Sequence, residues 1–139
     1  MFYLCILHLF LTWNLNAQAF QGRSDKKLQA GFTSYGYGIG LRGTFDYGLV
    51  SWVSIGGGIE LYFQDKNPFY LFTRANGHLG KILNLSKRFD IYPGISIGAV
   101  GSDKLGIGAH LGVRYFFTPS LGTYIELGSR WSIGMSINI

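Results

Sequence analysis

The sequence predicts an all-β protein: an eight-stranded antiparallel up-and-down transmembrane β-barrel with a polar, side-chain-filled interior. Three observations predict it. From residue 28 to the end, nearly every stretch between turns alternates apolar with small or polar residues, and a strand points successive side chains to opposite faces. One face of that alternation carries no charge, whereas the other holds Arg42, Asp46, Glu60, Arg74, Asp90, Arg114 and Glu126. The chain also has 21 glycines, 17% aromatic residues and only 14% charged residues, which suits strands and excludes a disordered chain.

Residues 1–19 read as a secretory signal. The first thirteen residues are largely apolar, and Ala17-Gln18-Ala19 fits a small-x-small cleavage site, so that residues 20–139 form the barrel domain. The basic n-region is missing, because no Lys or Arg precedes Arg23. A short buried helix is the alternative, and the run is too short to cross a bilayer as a helix. Cys5 is the single cysteine and lies inside this segment, away from the cleavage point. The mature chain is then expected to have no thiol, disulfide or cysteine metal site.

The strands are expected at 28–33, 39–47, 53–63, 69–79, 89–99, 105–115, 122–128 and 131–139. Most have the 9–11 or so residues that a tilted strand needs to cross a bilayer. Their connections are short and rich in Gly, Asn, Asp, Ser and Pro, as hairpins require. The uncharged face includes Leu28, Phe32, Leu41, Phe45, Ile59, Leu71, Ile97, Leu111, Ile125 and Ile133. A basic residue at the bilayer midplane on this face would cost about 2–4 kcal/mol. Large aromatics fall near the strand ends: Tyr47, Trp52, Phe63, Phe69, Phe89, Tyr115, Phe117 and Trp131. They are expected to form two interfacial girdles. Pro93 interrupts the fifth strand, where its missing N–H predicts a bulge or a local break.

Alternation alone does not say which face is inside. A soluble lipocalin-like barrel would turn its apolar face inward around a ligand. The polar face here is rich in Gly and Ser, with lysines assigned to the N-terminal segment and the connections, and its charges nearly cancel. A closed interior demands such cancellation, so the polar face is expected inside. Eight strands enclose only enough room for side chains, which excludes an open pore. Hairpins centred on Ser102, Asn84 and Asn67 would place Asp90 opposite Arg114, His78 opposite Asp90, and Glu60 opposite Arg74. The expectation is two layers, His78–Asp90–Arg114 near one end and Arg42–Glu60–Arg74 nearer the other, with His110 also facing inward.

Gly38-Ile39-Gly40-Leu41-Arg42-Gly43 matches a dinucleotide-binding GxGxxG, but no helix follows it, so these read as strand glycines. Asn84-Leu85-Ser86 matches a glycosylation sequon and reads as a turn. His78 and His110 raise the possibility of a lipid-modifying enzyme, yet both have interior parity and no Ser-His-acid group stands out on the outward face. The expectation is a structural hydrogen-bonding role, no catalytic residue, no cofactor and no metal site.

The segment Phe89-Asp90-Ile91-Tyr92-Pro93-Gly94-Ile95-Ser96-Ile97-Gly98 and the end from Phe117-Thr118-Pro119 through Glu126-Leu127-Gly128 to Ile139 carry a resemblance. The chain resembles the small eight-stranded outer-membrane barrels of the OmpA/OmpX type, and is similar to the short outer-membrane β-barrel proteins of Bacteroidetes-like bacteria. It departs from many of them in ending on Ile139 rather than Phe. The resemblance implies residence in the outer membrane of a Gram-negative bacterium but no particular activity.

With both termini periplasmic, the outer connections at 34–38, 64–68, 100–104 and 129–130 are all short, which suits neither adhesin nor receptor. The other rim gathers Arg23, Lys26, Lys27, Lys81, Lys87 and Arg88 against Asp25. This basic collar is expected to meet anionic headgroups or an acidic periplasmic partner; ordinary snorkelling is the alternative. The expected function is a non-enzymatic structural or accessory subunit. Its expected partners are outer-membrane lipid and another outer-membrane or periplasmic protein, and no nucleic acid.

Overall fold

The computed structural model describes residues 19–35, 38–63, 69–101 and 104–139. The expected signal segment therefore lies outside the described residues, apart from Ala19. Eight strands follow one another: β1 Lys26–Tyr35, β2 Gly38–Val50, β3 Val53–Tyr62, β4 Phe69–Gly77, β5 Phe89–Val100, β6 Lys104–Phe116, β7 Leu121–Gly128 and β8 Trp131–Asn138. Each pairs antiparallel with the next, and β1 pairs with β8, so the sheet closes as a barrel with no edge.

Burial alternates along the strands as parity dictates. The outward face is apolar, with Phe32, Leu71, Ile95, Ile107 and Leu127 each more than half exposed. The inward face is polar, the inverse of a lipocalin-like arrangement. Interior glycines leave room for large neighbours. A side chain on Gly112 would collide with the ring of Tyr92, and one on Gly94 with Asn76 and His110.

Pro93 produces no bulge. The β5–β6 ladder runs unbroken through Pro93 and Leu111, while the β4–β5 pairs stop at Asn76 and Gly94, one step short of it. The Ile91 carbonyl accepts the Leu79 N–H at 2.9 Å. Strand alternation therefore turns the Pro93 nitrogen, which has no hydrogen, toward β4 where pairing has ended. The bulge occurs instead between Gly48 and Val50. There the Gly48 N–H donates to the Asp25 carbonyl at 2.7 Å, and the Gly48 carbonyl accepts the Ser24 N–H at 2.8 Å. Residues 19–25 thus lie across the barrel end where β1 begins.

The β4–β5 ladder pairs Asn76 with Gly94, which sets His78 two residues out of the register expected with Asp90, and three further sequence expectations need correction. Glu60 lies opposite Tyr70, and Arg74 opposite Gly56, a slip of four residues from the pairing implied by a turn at Asn67. Six residues separate β3 from β4, too many for a tight turn to set the register. An even slip leaves every side chain on its face, so parity does not detect it. Secondly, β1 starts two residues earlier than expected, which carries Lys27 to the inside, fully buried. Thirdly, Arg130, placed by its sequence position in an outer turn, is 9% exposed and faces inward.

The register correction is testable with paired cysteines. Ile59 and Leu71 are directly opposite and face outward, at the separation of about 4.5–5.5 Å that a disulfide accepts. Ile59→Cys with Leu71→Cys should cross-link on mild oxidation of the folded barrel. Ile59→Cys with Ala75→Cys, the pair that the other register would join, should remain free; the reverse result excludes the pairing described.

Candidate functional site

Ten charged side chains are buried among the described residues. Lys27, Arg42, Arg74, Arg114 and Arg130 face Asp25, Asp46, Glu60, Asp90 and Glu126. Five cations against five carboxylates leave no net interior charge, as a closed low-dielectric lumen requires.

Eight of them form one continuous chain rather than two layers. Arg130 Nε lies 3.1 Å from Glu60, and Glu60 lies 3.6 Å from Arg42 Nε. Arg42 Nη1 reaches Glu126 at 2.9 Å, and so does Arg74 Nη1. Arg74 then grips both oxygens of Asp46 with its Nε and Nη2, the bidentate geometry of the strongest carboxylate pairs. Arg114 continues the chain, 3.9 Å from Asp46 and 3.8 Å from Asp90. His78 ends it, bonded to Asp90 through Nδ1. Lys27 and Asp25 pair separately at the barrel end, 3.1 Å apart.

Tyrosines complete the network. Tyr92 donates to Glu126 at 2.8 Å, and Tyr62 donates to Glu60. Arg114 stacks 4.2 Å over the Tyr92 ring and Arg130 3.8 Å over that of Tyr70, a contact that adds to charge pairing when desolvated. Tyr62, Tyr70, Tyr92 and Tyr124 are all missing from the sequence-predicted site. Their parity, shared with Glu60, Arg74, Asp90 and Glu126, was the available signal. His110 bonds to Asn76 at 2.7 Å and, among the described residues, touches no carboxylate by hydrogen bond or ion pair.

Where the chain of charges meets the barrel end, Ser54, His78 and Asp90 are linked. Ser54 Oγ lies 2.7 Å from His78 Nε2, and Asp90 holds Nδ1. Alternation on β3 and the end of β4 brings these residues together; only the three-dimensional register shows it. Burial pushes the His78 pKa down, and the nearby Arg114 adds to this, outweighing the opposing pull of Asp90. Asp90, an acceptor when ionised, takes the Nδ1 proton, and a neutral ring then accepts the Ser54 hydroxyl at Nε2, the tautomer of a nucleophilic triad. Its placement differs from a hydrolase. Ser54 is 1% exposed, and one face of the imidazole is covered by Phe20, stacked at 3.5 Å between centroids.

Outside this point the barrel end opens into a cavity of about 420 Å³. His78 and Asp90 form part of its floor, and Lys81, Ser86, Lys87 and Ser51 are on its walls. Arg23, Lys26, Lys81 and Lys87 are exposed here, and Arg88 is half-buried. These five remain of the expected basic rim, since Lys27 is buried with Asp25. The aromatics Tyr47, Trp52, Phe63, Phe89, Phe117 and Trp131 are exposed at strand ends, with Phe69 and Tyr115 half-buried.

Two solved structures share this fold. One, from "De novo design of transmembrane beta-barrels", has a TM-score of 0.73 at 13% identity and covers 86% of this chain and 98% of its own. The other is the N-terminal β-barrel domain of Pseudomonas aeruginosa OprF, with a TM-score of 0.60 at 16% identity, covering 86% of this chain and 100% of its own. At such identities the likeness concerns the fold alone. No curated protein matches the sequence. Residues 10–133 match the Family of unknown function (DUF6646), and the chain belongs to that family.

Two outcomes follow from the network. Arg74→Met leaves Asp46 and Glu126 short of a buried partner and should destabilise the barrel by about 3–5 kcal/mol. Arg114→Leu should cost less, because its carboxylates stand 3.8–3.9 Å away. Urea unfolding in detergent, read by tryptophan fluorescence, checks both, and an unchanged midpoint in Arg74→Met refutes the network. His78 provides the pH dependence. A histidine whose folded pKa lies below its ordinary value of 6.5 takes its proton more readily when unfolded, so stability is lost as pH falls through that value. His78→Gln should flatten the loss between about pH 7.5 and about pH 5.5; equal slopes in both proteins would exclude this role.

Proposed function

We propose that the chain is an integral outer-membrane barrel of a Gram-negative bacterium, of the OmpA/OmpX type. Its role is non-enzymatic, as a structural element or accessory subunit within the membrane plane, and it has no open pore. The observation that carries this reading is the polarity of the closed sheet, apolar outward and charge-balanced inward. In water, an uninterrupted apolar surface of this extent would aggregate; in hydrocarbon it is the required surface. The filled lumen supports the absence of a pore. The pocket beside Arg42 and Glu60 holds only about 20 Å³, room for about one water.

Export through a signal cleaved after Ala19 fits this reading and leaves Phe20, the residue stacked on His78, at the mature N-terminus. Outer-membrane lipid is the immediate partner, with a second outer-membrane or periplasmic protein as the partner of an accessory subunit.

Ser54–His78–Asp90 favours a second reading, a lipid-modifying enzyme. The buried hydroxyl and the ring covering His78 weigh against it, because a nucleophile must meet its substrate.

Fractionation and deletion test the two together. The protein should remain in outer membranes after carbonate extraction and copurify with a partner in mild detergent, and a deletion strain should show unaltered lipid A mass spectra. Release into the soluble fraction overturns the membrane reading. A lone monomer under several gentle conditions counts against the accessory role, and an altered lipid A profile replaces it with the enzyme.

A further inference from the structure

The chain carries a net charge of +5, and its distribution is one-sided. The interior cancels. By sequence, the end opposite the termini holds Lys66 and Lys104 against Asp65 and Asp103, which also cancel. The excess therefore resides in Arg23, Lys26, Lys81, Lys87 and Arg88, all at the end where β1 begins and β8 finishes.

Within that rim the 78–88 connection differs from a plain solvated loop. It folds back on itself, with the Leu83 N–H donating to the Leu79 carbonyl and the Leu85 N–H to that of Gly80, both at 2.8 Å. This presents Ile82 at 66%, Leu83 at 52% and Leu85 at 36% exposure, directly beside the exposed Lys81 and Lys87. The two lysines also line the 420 Å³ cavity. Lys81 turns toward the N-terminal segment, its Nζ only 3.8 Å from where a Gly22 side chain would begin. Around this mouth, Ser51 and Ser86 add hydroxyl donors, and Asn84 and Gln21 add amides. The one carboxylate among the described lining residues, Asp90, is 1% exposed and already bonded to His78 and paired with Arg114.

We propose that this cavity binds the headgroup of an anionic phospholipid from the leaflet facing this rim. Lys81 and Lys87 contact the phosphate, and Ile82, Leu83 and Leu85 enter the acyl boundary. Charge complementarity selects an anion. The apolar side chains on the same connection select a lipid over an acidic protein, since cations beside exposed aliphatics match a headgroup above its chains. The site rests on the membrane reading above and extends it to a lipid class.

The test uses the full barrel reconstituted in phosphatidylcholine bilayers containing traces of spin-labelled phosphatidylglycerol or spin-labelled phosphatidylcholine. Electron paramagnetic resonance reads the immobilised fraction of each, and heat-modifiable gel migration verifies folding. The wild type should retain phosphatidylglycerol over phosphatidylcholine. Lys81→Gln with Lys87→Gln should lower that preference about fivefold per lysine, the equivalent of about 1 kcal/mol each. Arg23→Gln with Lys26→Gln removes the same charge outside the cavity and should keep most of it. Leu83→Gln, a single exposed change, should weaken retention of both lipids and serves if a double variant fails to fold.

An inserted barrel with no lipid preference overturns the site alone, whereas a chain that does not insert overturns the membrane reading and the site with it. Equal losses in both double variants overturn the site in favour of diffuse collar charge. Displacement of the labelled lipid by inorganic phosphate, or by polyglutamate, overturns it in favour of a small anion or an acidic polymer.

Discussion

Glu126 is the joint on which the interior depends. Fully buried on β7, it receives Arg42 from β2, Arg74 from β4 and the Tyr92 hydroxyl from β5. With the Gln29 amide of β1, which donates to it at 3.3 Å, four strands are thereby tied to one carboxylate across the lumen. A closed barrel already satisfies its backbone, so what remains to be stabilised is the content of the lumen. There every cation needs a carboxylate within reach, because neither water nor bulk counter-ions can supply one. Glu126 and Asp46 share Arg74, and Glu60 carries the arrangement on to Arg42 and Arg130. The arginine guanidinium suits this task, being permanently charged and able to bind two carboxylates in fixed directions.

The same requirement explains the division of charge over the molecule. A neutral lumen leaves the chain's excess at the surface, and the outward band tolerates none of it. The rims are the remaining places, and the uncancelled cations gather on one of them. The Ser54–His78–Asp90 link lies at the boundary between the two regimes. It terminates the buried chain with groups that also form the floor of the open cavity, so the polar interior and the basic rim are continuous through His78.

Much of this was legible in the residues. Parity along Ile39–Leu41 and Arg42–Asp46, or along Asp90 and Tyr92 against Ile91, sorts the two faces because a strand alternates whatever its partners are. The strand count and most of the lumen charges follow from that period. Pairing was less legible. Asp90 opposite Arg114 could be read because three residues (Gly101, Ser102 and Asp103) join their strands; Glu60 opposite Arg74 was misread because six join theirs. An even slip changes every neighbour without changing any face. Lys27 was misplaced for a related reason: the start of a strand is set by what the barrel end can pair with, not by composition.

The sequence by itself determined the closed-barrel class, the inverted polarity and the identity of most charges inside, since these depend only on alternation and on the cost of unbalanced charge in a closed lumen. Tertiary structure alone decided who meets whom. It joined two expected layers into one chain through Glu126, drew Lys27, Asp25 and Arg130 inside to balance the lumen, and set Ser54 against His78. Those outcomes depend on register and barrel stagger, which sum over all eight strands and are written in no single one.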